Sequence, residues 1–168
     1  MTGAPPASPA RFIAISLAEQ RLRLIDDDRV LASYPVSTAK NGAGQRKGSE
    51  CTPLGWHSIR ARIGSHQAIN SVFVGRRPTG EIYGPQLAAE FPQRDWILSR
   101  ILWLGGLEAG FNRYGEVDSA WRYIYIHGAP DHLPCGQPAS HGCIRMHNAD
   151  VIELFDAVEP GCKVWIHP

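Results

Sequence analysis

Three short apolar runs near the start of the chain, separated by polar turns, constrain most strongly how this sequence can fold. The runs cover residues 11–17, 21–25 and 30–37. Their length and the partial alternation of apolar and polar residues are typical of strands. The polar Ala18-Glu19-Gln20 and Asp26-Asp27-Asp28 supply the connections. This spacing predicts a β-meander.

The middle of the chain is less regular. Residues 38–53 are rich in Gly, Lys, Asn and Ser and predict a surface loop, and residues 56–63 return to strand character. Asp95 could cap an amphipathic helical segment through Leu104, which Gly105-Gly106 would end. We therefore predict that about residues 64–120 form a mixed insertion, or cap, folded over the sheet.

The C-terminal third combines strands with one clear helix. Residues 121–126 are aromatic and β-branched, as in a buried strand, and residues 163–166 predict a last strand. Asn148 is a good N-cap for a helix with one apolar face, which Pro160-Gly161 would end. The prediction is a mainly β, sandwich-like single domain over 11–168, after a disordered, Pro-rich segment at 1–10.

Charge and hydropathy exclude several classes of partner. The net charge of +1 indicates no nucleic-acid footprint and no anionic membrane partner. The most apolar stretch, residues 97–107, is too short to span a bilayer. The N-terminal residues have no apolar core of a signal peptide, so we expect a cytoplasmic protein, or a periplasmic one if a leader was removed. Nothing in the sequence indicates an oligomeric state.

Four cysteines raise the question of metal binding. Cys135, Cys143, His127 and His141 could in principle hold zinc. No pair of them has the tight spacing of structural zinc ligands, so we expect neither a metal nor another cofactor. Cys162, at the start of the last strand, is predicted to be a small core residue.

The chemistry is concentrated in two Gly-flanked runs. His127 stands at the end of a predicted buried strand, and Cys143 follows Gly142. The turn-rich stretch between them is long enough to return Cys143 to the side of His127. An imidazole can activate a thiol whose ordinary pKa is about 8.5. Gly142 permits close backbone approach, so nearby N–H groups could form an oxyanion hole.

These runs resemble a known family. Ile126-His127-Gly128, then Ser140-His141-Gly142-Cys143-Ile144-Arg145, then Asn148-Ala149-Asp150 look like the signature of the YkuD-type L,D-transpeptidases. Upstream likenesses lie at residues 18–22, 34–38 and 52–55, and a closing one at 161–166. The resemblance therefore spans nearly the whole chain.

The resemblance implies a fold and a reaction. It implies a β-sandwich-like enzyme that forms a thioester with a peptidoglycan stem peptide, cut between meso-diaminopimelate and terminal D-alanine. Cys143 would be the nucleophile and His127 the base, oriented by the Ser140 backbone carbonyl. The N–H groups of His141, Gly142 and Cys143 would hold the oxyanion.

The substrate-binding residues are less specific. Arg145 stands where many members have Asn, and it would lie under the site or meet a substrate carboxylate. Arg77, Trp103 and Arg113 of the middle region are further candidates, because Arg binds carboxylates bidentately. Ordinary surface cations and core aromatics explain them equally well.

Two functions of this family compete, and two others lie outside it. The favoured one is an L,D-carboxypeptidase that trims recycled muropeptides from tetrapeptide to tripeptide. The alternative is a periplasmic L,D-transpeptidase that forms cross-links or exchanges D-amino acids. A non-catalytic wall-peptide binding module and a zinc protein are remote alternatives.

Overall fold

The computed structural model describes residues 9–168, so the predicted N-terminal segment lies almost wholly outside the described residues. The strands are β1 (Arg11–Ser16), β2 (Arg21–Asp26), β3 (Arg29–Pro35), β4 (Gly55–Ile63), β5 (Ser71–Val74), β6 (Arg77–Ile82), β7 (Ile97–Gly106), β8 (Tyr125–Gly128), β9 (Ile144–Met146) and β10 (Lys163–His167). The helices are α1 (Pro85–Glu90) and α2 (Asn148–Ala157), with a short 3-10 turn at Gly115–Val117.

All ten strands belong to one hydrogen-bonded sheet. β1, β2 and β3 form the predicted antiparallel meander. β10 returns from the end of the chain to lie parallel to β1, and β4 pairs antiparallel with β10. The prediction of a mainly β fold with a C-terminal helix is confirmed.

β7 is the longest strand and lies at the branch of the sheet. It pairs antiparallel with β4, β5 and β8, and β8 then pairs in parallel with β9. The helical segment predicted after Asp95 is therefore wrong. Most of β7 is buried because strands flank it on both edges. The run from Ile97 to Leu104 is apolar apart from Ser99 and Arg100, and so short a run does not distinguish a buried strand from a buried helix.

The predicted insertion over residues 64–120 needs the same correction. β5, β6 and the short α1 lie at one end of the sheet, but β7 is a central strand of the domain and does not fold over it. β4 pairs with residues 101–106 of β7, and β5 pairs with residues 97–98. The chain from β4 to β5 therefore follows the length of β7.

The main core lies between the meander, β8, β9 and α2. Val151, Leu154 and Phe155 of α2 are buried, and α2 packs on β7 and β8. The helix is the predicted one, but Asn148 is its first residue and does not cap it. Its side chain is fully buried, and the carboxylate of Asp131 accepts the Asn148 backbone N–H at 2.9 Å.

The predicted strand over residues 121–126 begins later than expected. The chain forms a turn at residues 120–123, and β8 starts at Tyr125. The Asp118 carboxylate fixes this turn by accepting the backbone N–H groups of Tyr114 and Trp121, at 2.7 and 3.1 Å. Strand-type residues therefore lie in a turn because a preceding carboxylate holds their backbone.

Two further findings concern the chain from residue 9 onward. No helix there is long and apolar enough to cross a membrane. The four cysteines form no disulfides, and Cys162 is half-buried against the main core.

Candidate active site

The parallel pairing of β8 with β9 brings the two predicted reactive residues to one face of the sheet. Ile126 lies opposite Ile144, and both side chains are buried in the main core. Since side chains alternate along a strand, His127 and Cys143 lie on the other face. There Cys143 packs against a small apolar cluster that includes Tyr125. The 16-residue separation in sequence becomes a neighbouring position in space.

The sulfur of Cys143 lies between two backbone groups. The Tyr125 N–H donates to Sγ at 3.3 Å, and the thiol donates to the Tyr123 carbonyl at 3.4 Å. Burial raises the pKa of the Cys143 thiol to about 11, while the Tyr125 N–H acts in the opposite direction. The resting thiol is therefore protonated at neutral pH, and its activation requires a base.

His127 has the properties of such a base. Its side chain is buried, and Nδ1 lies 2.7 Å from the Gly128 carbonyl. A carbonyl only accepts, so Nδ1 carries the proton and Nε2 is the nitrogen available to take one. Burial lowers the pKa of His127, and the Gly128 carbonyl partly opposes this effect. The imidazole is therefore neutral near pH 7.

Gly128 is required at its position by close packing. A Cβ there would lie 2.5 Å from the Leu98 carbonyl oxygen and 2.6 Å from Oδ1 of Asn148. The glycine after His127 thus lets β8 approach β7 and α2 at the point where the imidazole is held.

Ser140 has a different role from the one predicted. Its backbone carbonyl accepts the Lys40 N–H at 2.9 Å, so it does not orient His127. Its hydroxyl donates to the Cys143 carbonyl at 2.6 Å and accepts the Gly142 N–H at 3.2 Å. Ser140 therefore shapes the nucleophile loop, and Gly128 takes over the orientation of the imidazole.

Of the three predicted oxyanion donors, one is already hydrogen-bonded within the loop and two are not. The Gly142 N–H is directed to the Ser140 hydroxyl, whereas the N–H groups of His141 and Cys143 have no acceptor within residues 9–168. Gly142 has φ of +130°, and a Cβ there would lie 3.2 Å from the Cys51 carbonyl oxygen. This conformation leaves two backbone donors beside the sulfur, the arrangement that stabilises a developing oxyanion.

The segment after β3 supports the nucleophile loop. The Ser140 N–H donates to the Thr38 carbonyl, and the Thr52 hydroxyl donates to the Gly142 carbonyl, each at 2.9 Å. Buried Gln20 holds Thr38 in turn, through bonds to its backbone N–H and its hydroxyl. The loop that carries Cys143 is therefore fixed by residues far away in sequence.

An ion pair lies next to the reactive residues. Arg145, opposite His127 in the β8–β9 register, pairs with the Asp95 carboxylate at 3.0 Å and donates to the Ala139 carbonyl at 3.3 Å. The negative charge of Asp95 acts to raise the pKa of both His127 and Cys143, and Arg145 acts to lower both. The Arg145 guanidinium therefore has partners within the protein, and its bond to Ala139 anchors the loop that carries Cys143.

The other predicted substrate-binding residues are separated in the structure. Arg77 begins β6 and is exposed. Arg113 is exposed and stacks on Tyr114, 4.8 Å from the ring centroid. Trp103 is half-buried in β7 and lies edge-on to Tyr125, with centroids 6.4 Å apart. Of these three, Trp103 is directly connected to the surroundings of the sulfur.

His141 and Cys135 do not join the reactive pair in a metal site. His141 is exposed and lies 3.7 Å from the Glu50 carboxylate, and Cys135 contacts the Arg145 carbonyl. Within the described chain, no three His, Cys, Asp or Glu side chains come together as ligands.

Comparisons with known proteins show to which family the chain belongs. The family described as "YkuD: L,D-transpeptidase catalytic domain" matches residues 10–166. The chain belongs to this family. It is 30% identical over 166 residues to "Putative L,D-transpeptidase YkuD" of Bacillus licheniformis, covering 98% of this chain and 69% of that protein. It is 27% identical over 161 residues to "Putative L,D-transpeptidase YqjB" of Bacillus subtilis, covering 96% and 72%.

Solved structures share the YkuD fold. An L,D-transpeptidase from Mycobacterium smegmatis has a TM-score of 0.58 at 16% identity and covers 95% of this chain. L,D-transpeptidase 3 from Mycobacterium tuberculosis, in complex with a faropenem-derived adduct, has a TM-score of 0.59 at 17% identity and covers 96%. This chain spans about three fifths of the length of each of those proteins. The protein is an enzyme of the L,D-transpeptidase family.

Three contributors to this YkuD site were missed by the sequence reading. Asp95 was interpreted as a helix cap, Tyr125 as a strand residue only, and Thr52 as part of a family-like run without a role. The loop sequence around Thr52 does not indicate which group the Thr52 hydroxyl binds. The pairing of Asp95 with Arg145 joins segments about 50 residues apart, which no local pattern reports.

Proposed function

We propose that this YkuD domain cleaves the bond between meso-diaminopimelate and terminal D-alanine of a peptidoglycan stem peptide, through a thioester on Cys143. The observation that carries this proposal is the surroundings of Cys143. A protonated thiol lies beside two unused backbone N–H donors, and a buried neutral imidazole lies on the same face. These are a nucleophile, an oxyanion hole and a base.

The proposed acylation balances as follows. The thiol proton moves to Nε2 of His127, and Sγ attacks the carbonyl carbon of the diaminopimelate residue. The N–H groups of His141 and Cys143 stabilise the oxyanion. The C–N bond then breaks, and the His127 proton passes to the amine of the departing D-alanine.

Water is the acceptor in our proposal, which makes the enzyme an L,D-carboxypeptidase. Water gives a proton to His127 and its oxygen attacks the thioester, so the C–S bond breaks and Cys143 recovers the proton. The pocket next to Tyr123 and His141 measures about 210 Å³, but neither Cys143 nor His127 lines it, so the choice of water depends on the product analysis below.

The test uses purified protein and disaccharide-tetrapeptide, followed by mass analysis of the products. We expect free D-alanine and tripeptide to accumulate. Cross-linked dimers as the main product would reject the hydrolytic assignment in favour of transpeptidation, and no D-alanine release would reject both. His127→Ala should lower the rate about 10²–10⁴-fold, the usual loss for a general base. His141→Ala should lower it less, because the proposed contribution is the backbone N–H of that residue.

The cellular location of the protein is a further part of this proposal. Hydrolysis of tetrapeptides suits muropeptides that have been released from the wall, and we place this activity in the cytoplasm. Fractionation of the native host, with an antibody against the protein, tests this. Recovery in the periplasm would reject it.

A further inference from the structure

Two arginines lie on one indole next to the active site. Cζ of Arg60, on β4, is 4.8 Å from the Trp103 ring centroid, and Cζ of Arg76, in the turn between β5 and β6, is 4.6 Å from it. Arg60 also lies over Trp121 and Arg76 over Tyr123, at 5.3 and 4.9 Å. Arginine–aromatic stacking of this kind holds a guanidinium in a defined orientation.

Neither arginine is neutralised within the described chain. The ion pairs among residues 9–168 involve other arginines and leave Arg60 and Arg76 without a carboxylate. Both guanidinium groups lie at the same ring, so an anion bound beside that ring is attracted by both charges. The guanidinium groups also retain free N–H donors, which match a carboxylate bidentately.

A single residue connects this pair to the nucleophile. The Tyr125 hydroxyl accepts a hydrogen bond from Arg76 at 3.0 Å, and the Tyr125 backbone N–H donates to Cys143 Sγ at 3.3 Å. The Tyr125 ring lies edge-on to Trp103, and both Trp103 and Cys143 pack against the apolar cluster that contains Tyr125. Tyr125 therefore connects Arg76 to the reacting sulfur.

The surface on the Arg60 side of the pair is open. Trp121 is 58% exposed, and an open pocket of about 270 Å³ extends from it past Arg60 and Arg113. Asp118 also lines this pocket, but its carboxylate is used by the backbone N–H groups of Tyr114 and Trp121. With Arg60 and Arg113 against Asp118, the net charge of the pocket lining is positive.

We propose that Arg60 and Arg76, held on Trp103, bind the free side-chain carboxylate of the residue that acylates Cys143. The inference rests on the proposed function, since it assigns the acyl donor of that reaction. It makes the two arginines specificity-determining residues for an anionic donor. We assign carboxylate binding to Arg76 and Arg60 in place of the predicted Arg77 and Arg145. Arg145 is paired with Asp95, whereas Arg76 and Arg60 have no carboxylate partner and are both held on Trp103.

The test compares two synthetic tetrapeptides that differ at one group. In one, the side-chain carboxylate of the diaminopimelate residue is free, and in the other it is a carboxamide. We expect the protein to release D-alanine from the free form with a kcat/KM at least about tenfold higher. Arg76→Gln and Arg60→Gln should each lower kcat/KM for the free form roughly ten- to a hundredfold, the usual effect of a lost charge-assisted hydrogen bond. The carboxamide should be turned over nearly as before, which also shows that the variants fold.

Arg29→Gln is the matched control. Arg29 begins β3, at the edge of the sheet opposite β6, and the substitution makes the same change in net charge. It should leave the preference for the free carboxylate unchanged. Equal loss of preference in Arg29→Gln and Arg76→Gln would overturn the proposal, as would a protein that treats both peptides alike.

A binding measurement separates this proposal from the proposed function. In Cys143→Ala, titration with the two peptides is followed by tryptophan fluorescence, which reports on Trp103 and Trp121. Tighter binding of the free carboxylate, lost in Cys143→Ala/Arg76→Gln, supports the site even if no D-alanine is ever released. Equal binding of both peptides to Cys143→Ala overturns it.

Discussion

Cys143 and His127 rest as a neutral pair. Burial of the sulfur raises the pKa of the thiol to about 11, and burial of the imidazole lowers the pKa of His127. Both shifts disfavour the thiolate–imidazolium ion pair. The proton therefore moves from Cys143 to His127 as the sulfur attacks a substrate carbonyl. The backbone N–H donors then stabilise the oxyanion that forms.

The neutral pair predicts two different pH profiles. Alkylation of Cys143 by iodoacetamide, followed by peptide mass mapping, should be slow at pH 7 and still rise steeply towards pH 10. D-alanine release should keep its neutral base as pH falls and lose activity only below about pH 6.5, the ordinary pKa of histidine. A plateau of alkylation already at pH 7 would show a resting thiolate and contradict this account.

Asp95 should tune both groups. Its charge acts to raise the pKa of His127 and of Cys143, and its carboxylate anchors Arg145. Asp95→Asn should therefore move both the acidic limb of turnover and the alkylation profile to lower pH. Asp27→Asn, in the exposed β2–β3 turn, is the control with the same change in net charge. Unchanged profiles in Asp95→Asn would mean that the ion pair only holds the loop.

Among the strands and helices, sequence patterns predicted those elements whose formation depends on residues within one short segment. The β1–β3 meander and α2 follow from alternation and helical periodicity within short windows. β7 was misassigned because its run is apolar on both faces, and only the flanking strands β4 and β8 decide between helix and strand. The start of β8 was also missed, since the Asp118 carboxylate holds strand-type residues in a turn.

The junction of α2 with the sheet depends on Asn148. Its fully buried amide donates to the Ala129 carbonyl at 2.9 Å and accepts from the Ser99 hydroxyl. Asn148→Ala should lower the free energy of unfolding by about 2 kcal/mol, because buried partners lose their bonds. Urea unfolding measures this, with exposed Asn41→Ala as control. A loss of less than about 0.5 kcal/mol would contradict the role of this amide.

For the whole molecule, His57 makes stability depend on pH. It is fully buried, with Nε2 2.8 Å from the Ser119 hydroxyl, and burial lowers its pKa to about 4. The unfolded chain, with an ordinary pKa near 6.5, binds the proton more readily. The contribution of neutral His57 to the free energy of unfolding is therefore fully present above pH 6.5. It decreases as the pH falls towards 4, by about 3 kcal/mol in total.

The comparison with His57→Gln isolates this contribution. Other groups titrate in the same window, so the wild-type protein and the variant are unfolded in urea at pH 7, 5.5 and 4.5. The wild-type protein should lose more stability than His57→Gln between the first and last of these. Parallel losses would mean that the pKa of His57 in the folded protein is not lowered by burial.

The candidate site was only partly predictable from the sequence. The order of His127, Gly142 and Cys143 indicates the chemistry because a strand end and a Gly-rich loop lie close in sequence. Ser140 was assigned the wrong partner, since a carbonyl's direction depends on the loop that packs against it. The Arg60–Trp103–Arg76 cluster joins three separate elements, and it follows only from their pairing in the sheet.

The central claim is that Cys143 carries the acyl group of a stem peptide. The most direct measurement is the intact mass of the protein, quenched in acid within milliseconds to seconds of mixing with tetrapeptide, followed by peptide mapping. We predict a mass gain equal to the tripeptide acyl group, located on Cys143 and absent from Cys143→Ala. An adduct on another residue, or D-alanine release by Cys143→Ala, would contradict the account.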